Sequence, residues 1–288
     1  MPWGAIKSEQ SAKVEPAQPK QAETSPATQN VSAEQQEQEY AKIISVFGYK
    51  GAGKTYNSFG LCRPDQKILA ISFDGVTEII AREFYPDYKI TVYNAVKYPR
   101  YEWVDSPEGG YWVESVEAGY KNLDELSTYL KNLKPKEFDV IFFDGLNFAE
   151  KLAEAYMRYK KGLKYDEKFA DLNNWKLRNS QLNGIILEAQ RKAKDFVIYT
   201  VYIEEHPTAR DAGQVVSSIE MPNYVKDVTA LAVVEIKIDS KDVQTKAQGA
   251  TISQRHFFAT IWSSKLKAIP TGAVYDITNK RLFEFIKL

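Results

Sequence analysis

Residues 48–55 read GYKGAGKT and follow directly on the apolar run IISVF. They fit G-x-x-x-x-G-K-[ST], a pattern that works only with a strand before it and a helix after it. Glycines at these positions let successive backbone N–H groups turn inward toward phosphate oxygens. Lys54 brings a positive charge to the terminal phosphates, and the Thr55 hydroxyl can ligate Mg²⁺. The helix that follows adds the positive end of its dipole. The expected binding segment for ATP phosphates is therefore Gly48, Tyr49, Lys50, Gly51, Ala52, Gly53, Lys54, Thr55 and Tyr56, with Mg²⁺ as the companion ion.

The rest of the chain has the rhythm that such a loop requires. Residues 41–47 (AKIISVF), 67–73 (KILAISF), 138–143 (FDVIFF) and 196–203 (FVIYTVYI) are short apolar runs rich in β-branched and aromatic residues. Continuous runs of this kind suit strands buried on both faces of a parallel sheet. Between them, Leu123, Leu126, Leu130 and Leu133 recur at helical spacing, as do Leu146, Ala149, Leu152, Ala153 and Tyr156. A long helix is expected from about residue 172 to 193, with Trp175, Leu182, Ile185, Ile186 and Ala189 on its core face. The fold class this predicts is α/β, a mostly parallel sheet covered by helices. Strand-like runs at 229–238 and 256–262, joined by a polar linker, predict an antiparallel C-terminal extension.

Two segments break the rhythm. Residues 98–115 look like a hairpin around 107–110 with Trp103, Tyr111 and Trp112 on its arms, where aromatics pack on one another more often than on bases. Residues 204–224 read as a long polar loop after a buried strand, and loops of that length tend to be functional. Residues 1–39 differ from all that follows: they are rich in Pro, Gln, Ala, Ser, Thr and Glu, so they are expected to form a disordered tail ahead of a domain at 40–288. The motif MPWGAI at its start reads either as part of an unstructured leader, the simpler reading, or as a docking peptide for a protein partner. In the tail Lys7, Lys13 and Lys20 face Glu9, Glu15, Glu23, Glu34, Glu37 and Glu39, which leaves the domain slightly positive in a chain whose 38 basic and 38 acidic residues cancel. One cysteine excludes an intramolecular disulfide, and with only two histidines any metal chemistry must use oxygen ligands. No apolar run is long enough to span a membrane and no secretory signal precedes the tail, so the expected compartment is the cytosol.

A phosphate loop needs an acid at the end of a neighbouring strand to hold the water shell of Mg²⁺. Asp144 ends FDVIFFD and fills that role, with capping of the following helix as its alternative. Gly145 follows it, so the paired acids of many mechanical ATPases are absent. The acid that activates water is then expected after the second strand, at Asp74 or, one helical turn on, at Glu78.

In this order the chain resembles the RecA-like P-loop ATPases, in particular short phage- and virus-borne relatives of RecA and RadA that act in single-strand annealing and recombination. The resemblance rests on GYKGAGKT, ILAISFD, DVIFFD and VIYTVYI with its following polar segment, over residues 43–267. It implies an ATPase that binds single-stranded DNA and self-associates into a ring or filament. It assigns water activation to Asp74, although Asp74-Gly75-Val76 stands where the family has Asp-x-Glu. It implies DNA contacts from 204–224, with His206 and Arg210 as the candidate groups. It also makes Lys265 and Lys267, in KLKAIP, candidates for reaching the nucleotide of a neighbouring subunit. The competing functions are a packaging or other motor ATPase, a small-molecule kinase, and a nucleotide-dependent switch or scaffold with little turnover.

Overall fold

The structure is a computed structural model that describes residues 40–107, 109–168, 172–211, 214–222, 230–247 and 250–288. The expected tail at 1–39 lies outside the described residues. In chain order the elements are β1 (Lys42–Gly48), α1 (Lys54–Phe59), β2 (Lys67–Ser72), α2 (Val76–Phe84), β3 (Lys89–Asn94), β4 (Tyr101–Val104), β5 (Tyr111–Glu114), α3 (Val116–Asn132), β6 (Phe138–Asp144), α4 (Leu146–Lys161), α5 (Leu172–Lys192), β7 (Ala193–Asp211), β8 (Gln214–Pro222), β9 (Ala232–Ala247), β10 (Ala250–Ser264) and β11 (Val274–Asp276).

The main sheet runs β11-β10-β9-β1-β7-β6-β2-β3. From β9 to β3 every neighbouring pair is parallel, whereas β10 and β11 are antiparallel to their neighbours. This is the expected fold class: a mostly parallel α/β sheet with an antiparallel C-terminal extension. Successive residues of the central strands supply two cores. Ile43, Leu69, Ile141 and Val197 face α3, α4 and α5, and pack with Leu126, Ala149 and Ile186. Their neighbours Ile44, Ala70, Phe142 and Ile198 face the other way, onto Phe59, Ala81, Tyr85 and the C-terminal Leu282 and Ile286. Period-two alternation between two buried faces is why these strands read as unbroken apolar runs. Among the described residues no helix is long and apolar enough to cross a membrane.

Several expectations need correction. Residues 204–211 are not loop: β7 continues to Asp211 and pairs antiparallel with β8, from Ile203↔Pro222 to Asp211↔Gln214. A two-stranded ribbon satisfies its backbone through its own ladder whatever the polarity of its side chains, so a polar composition is as compatible with strand as with loop. The polar linker after residue 238 is likewise strand, since β9 and β10 pair from Ser264↔Val234 out to Ala250↔Ala247. Edge strand β3, absent from the expected strands, has a half-exposed pattern and no unbroken apolar run. Trp175 is not in the core of α5; it is 36% exposed, with the Arg178 guanidinium 4.3 Å from its ring. At 101–114, β4 and β5 form a hairpin in which Trp103 and Trp112 pair across the strands, edge to face at 5.5 Å.

The second core carries a polar hub at Tyr85. Its ring packs on Tyr56, Phe59 and Tyr88, its hydroxyl donates to the Tyr56 carbonyl, and Arg281 Nη1 donates to it at 2.8 Å. Burial pushes the Tyr85 phenol far above its ordinary range, so it stays protonated. Tyr85→Phe keeps the packing but removes the partner of a carbonyl and a guanidinium. It is expected to cost about 1–3 kcal/mol, seen as a lower urea midpoint with unchanged slope.

Candidate functional site

The strand register fixes the site. Gly48 of β1 lies opposite Tyr202 of β7, Phe143 of β6 opposite Tyr199, and Asp144 opposite Ser72 of β2. The carboxyl ends of four parallel strands thus meet at one rim, where ligands of open α/β sheets bind. Gly48 is required there because a Cβ would sit 2.4 Å from the Ile238 carbonyl oxygen of β9. Gly51 and Gly53 take φ of 79° and 82°, which turns the loop into the start of α1. Lys54 Nζ donates to the carbonyls of Gly48 at 3.0 Å and Tyr49 at 2.8 Å, and sits 4.3 Å from the centre of the Tyr202 ring. Burial pulls its pKa down to about 8, against the opposing pull of the Asp144 charge.

Asp144 is the buried centre of the rim. Thr55 donates to its Oδ1 at 2.9 Å and Thr200 at 3.0 Å, while the Thr77 hydroxyl lies 2.8 Å from Oδ2 and 2.9 Å from Ser72 Oγ. Burial raises its pKa, the three threonine hydroxyls oppose that rise, and the nearby Asp74 charge adds to it. Asp144 does not cap the next helix. Gly145 occupies that position without a side-chain cap, and its N–H donates to Thr200 Oγ1 at 2.7 Å. A hydroxyl that gives its proton to a carboxylate keeps its lone pairs for a hard cation. Thr55 with Asp144 therefore fits Mg²⁺, which takes few protein oxygens and completes its shell with water and substrate phosphate. Among the described residues there is no group of three or more His, Cys, Asp or Glu that could hold a metal.

Lys54, Thr55, Asp144 and Thr200 line a cleft of about 310 Å³ together with Tyr56, Asp74, Phe148 and Tyr202. Asp74 is exposed at the cleft wall, and its Oδ1 accepts at 3.0 Å from the N–H of Val76, the first residue of α2. Glu78 is on the same helix but lines a different cavity, with Arg82, Tyr85 and Tyr88. Lys265 and Lys267 lie at the opposite end of the sheet: the Lys265 N–H donates to Val233 O and its Nζ to Ala230 O, beside the start of β1. They do not reach the phosphate loop of their own chain. The backbones of His206 and Arg210 belong to the β7–β8 ribbon, opposite Ile219 and Val215; their side chains lie outside the described residues. Thr77, Thr200 and Tyr202 were missed in the sequence. The one available signal was a threonine inside the apolar run FVIYTVYI.

Fold and cleft together define an α/β protein with a phosphate loop at the carboxyl rim of its sheet. No protein-family model matches the chain, and no curated protein matches it. Among solved structures it is similar to the crystal structure of the RadB recombinase, with 13% identity, a TM-score of 0.42, and coverage of 82% of this chain and 87% of that one.

The lowered pKa of Lys54 sets a pH dependence. A bound phosphate stabilises the ammonium, so binding takes up a proton wherever free Lys54 is partly neutral. The contribution of Lys54 to affinity for a nucleoside diphosphate is expected to be fully present below about pH 8 and to fall as pH rises through and beyond that value. Titration calorimetry across that range checks this, and in Lys54→Ala the slope should vanish along with most of the affinity.

Proposed function

We propose that the chain is a Mg²⁺-dependent ATPase of the RecA-like kind that acts on single-stranded nucleic acid, DNA in the first instance, as a self-associating protein in viral or mobile-element recombination. The supporting observation is the convergence of Lys54, Thr55, Asp144 and Asp74 on one cleft. Lys54 neutralises charge on the terminal phosphate oxygens, and the N–H groups of residues 50–55 orient them. Thr55 and Asp144 would hold Mg²⁺, which when bound would offset the negative charge that develops on the phosphates during transfer. Asp74, exposed at the wall of the same cleft, orients the attacking water and takes its proton. The separate cavity occupied by Glu78 favours Asp74 over it. Nucleic acid is assigned to the ribbon of β7 and β8, which begins one residue beyond Tyr202 and so rises beside the phosphate loop. Lys265 and Lys267 would act only from a neighbouring subunit.

Lys54→Ala is expected to abolish ATP turnover in a folded protein, and Asp144→Asn to raise the Mg²⁺ concentration needed for half-maximal rate. Asp74→Asn should keep nucleotide binding and slow turnover about a hundredfold; the same loss in Glu78→Gln instead would move the base one helical turn along. Binding without turnover in the wild type would favour the switch reading.

Single-strand binding is checked by fluorescence anisotropy at several salt concentrations. Arg210→Ala should weaken all sequences alike and reduce the salt slope by about one ion. No binding at low salt and no effect of single strands on turnover would remove the recombination reading.

A further inference from the structure

Tyr49, the second residue of the phosphate loop, donates its phenol to Glu220 Oε1 at 2.7 Å and lies 3.4 Å from Glu205 Oε1. Glu220 on β8 and Glu205 on β7 are register partners. The other oxygen of Glu220 accepts from Lys237 Nζ at 2.5 Å, and the same ammonium lies 3.3 Å from Asp239. Lys237 is the β9 residue paired with Phe47, next to the start of the loop. One carboxylate thus joins the phosphate loop, the β7–β8 ribbon and β9. Its hydrogen bond from Lys237, and then that from Tyr49, hold Glu220 below the usual carboxylate range, while the same contact pushes the Tyr49 phenol up to about 12. Near neutral pH the phenol is the donor and the carboxylate the anionic acceptor.

We infer that Tyr49, Glu220 and Lys237 form a positioning linkage through which occupancy of the phosphate loop sets how firmly the β7–β8 ribbon is held. This rests on the phosphate site of the proposed function. Lys54 Nζ is bonded to the carbonyls of Gly48 and Tyr49, so the ammonium that must meet phosphate also fixes the peptide carrying the Tyr49 phenol. Phosphate oxygens are charged and therefore stronger acceptors than carbonyls. Binding draws Lys54 off both carbonyls, and the Tyr49 backbone is freed to reorient. Tyr49 is 41% exposed, so its phenol can shift without opening the core. The ribbon then loses or realigns the contact at Glu220, while Lys237 keeps that carboxylate against β9. The chemistry of the loop is thereby connected to the element proposed to meet nucleic acid, by a route that does not pass through Asp144.

The test is hydrogen exchange of the amides of 203–211 and 214–222 on the full chain, with and without Mg-ADP, alongside titration calorimetry with the same nucleotide. In the wild type, ADP is expected to change exchange in the ribbon by about fivefold, the factor that corresponds to one net hydrogen bond. Glu220→Ala should raise ribbon exchange by a similar factor without nucleotide and remove the response, with ADP still bound. Tyr49→Phe, which deletes one hydroxyl, should also remove the response. Wild-type binding of ADP with no change in the ribbon overturns the inference alone, as does a response that survives in both variants. Absence of ADP binding overturns the phosphate site and the inference with it.

Discussion

A buried carboxylate must be hydrogen-bonded or neutralised, and Asp144 is held by three threonine hydroxyls from three elements: Thr55 at the start of α1, Thr77 in α2 and Thr200 in β7. The rest of the site depends on that arrangement. It ties the helix after the phosphate loop to the strand that ends in the acid, although β7 lies between β1 and β6 in the sheet. The cost of burying Asp144 is offset by hydroxyls that are themselves tied into the surrounding elements. Thr55 faces the phosphate loop, Thr200 receives the N–H of Gly145, and Thr77 contacts Ser72 at the end of β2. A cation at Thr55 and Asp144 would meet donors already in place, which is the condition for electrostatic stabilisation without reorganisation.

Lys54 is the complementary case. Desolvation lowers its pKa, and two carbonyls with the face of Tyr202 hold the ammonium. These partners are weaker than a phosphate, so the lysine is restrained but exchangeable. The same loop is anchored at Gly48 by the close approach of β9 and at Tyr49 by a carboxylate on β8. Strands that cross the sheet far apart in sequence therefore converge on eight residues.

The two-faced sheet explains why the site is stiff where the chemistry is placed and open where partners would approach. The central strands are buried on both sides, from Ile43 and Ile44 in β1 to Ile141 and Phe142 in β6. Among the described residues, β7 beyond the rim pairs with β8 alone, and the outer part of β9 with β10 alone. Rigidity of the first kind positions Asp144 and Lys54. The second kind of structure presents two ribbons on the side of the sheet that carries the phosphate loop.

What the sequence determined by itself was local. The loop at 48–55 was legible because its glycines, lysine and threonine are consecutive and their spacing reflects backbone geometry within one turn. The central strands were legible because burial on both faces leaves an unbroken apolar run, and Asp144 and Asp74 because each follows such a run. Tertiary structure alone decided the strand order, and with it that Thr200 and Tyr202, more than fifty residues beyond Asp144, complete the rim. It decided that 204–211 is a paired strand, since ladder hydrogen bonds join backbones and leave no trace in side-chain polarity. It also decided that Glu78 faces away from the cleft and that Tyr49 meets Glu220. Contacts of this kind depend on register across the sheet, a long-range quantity that no spacing along the chain encodes.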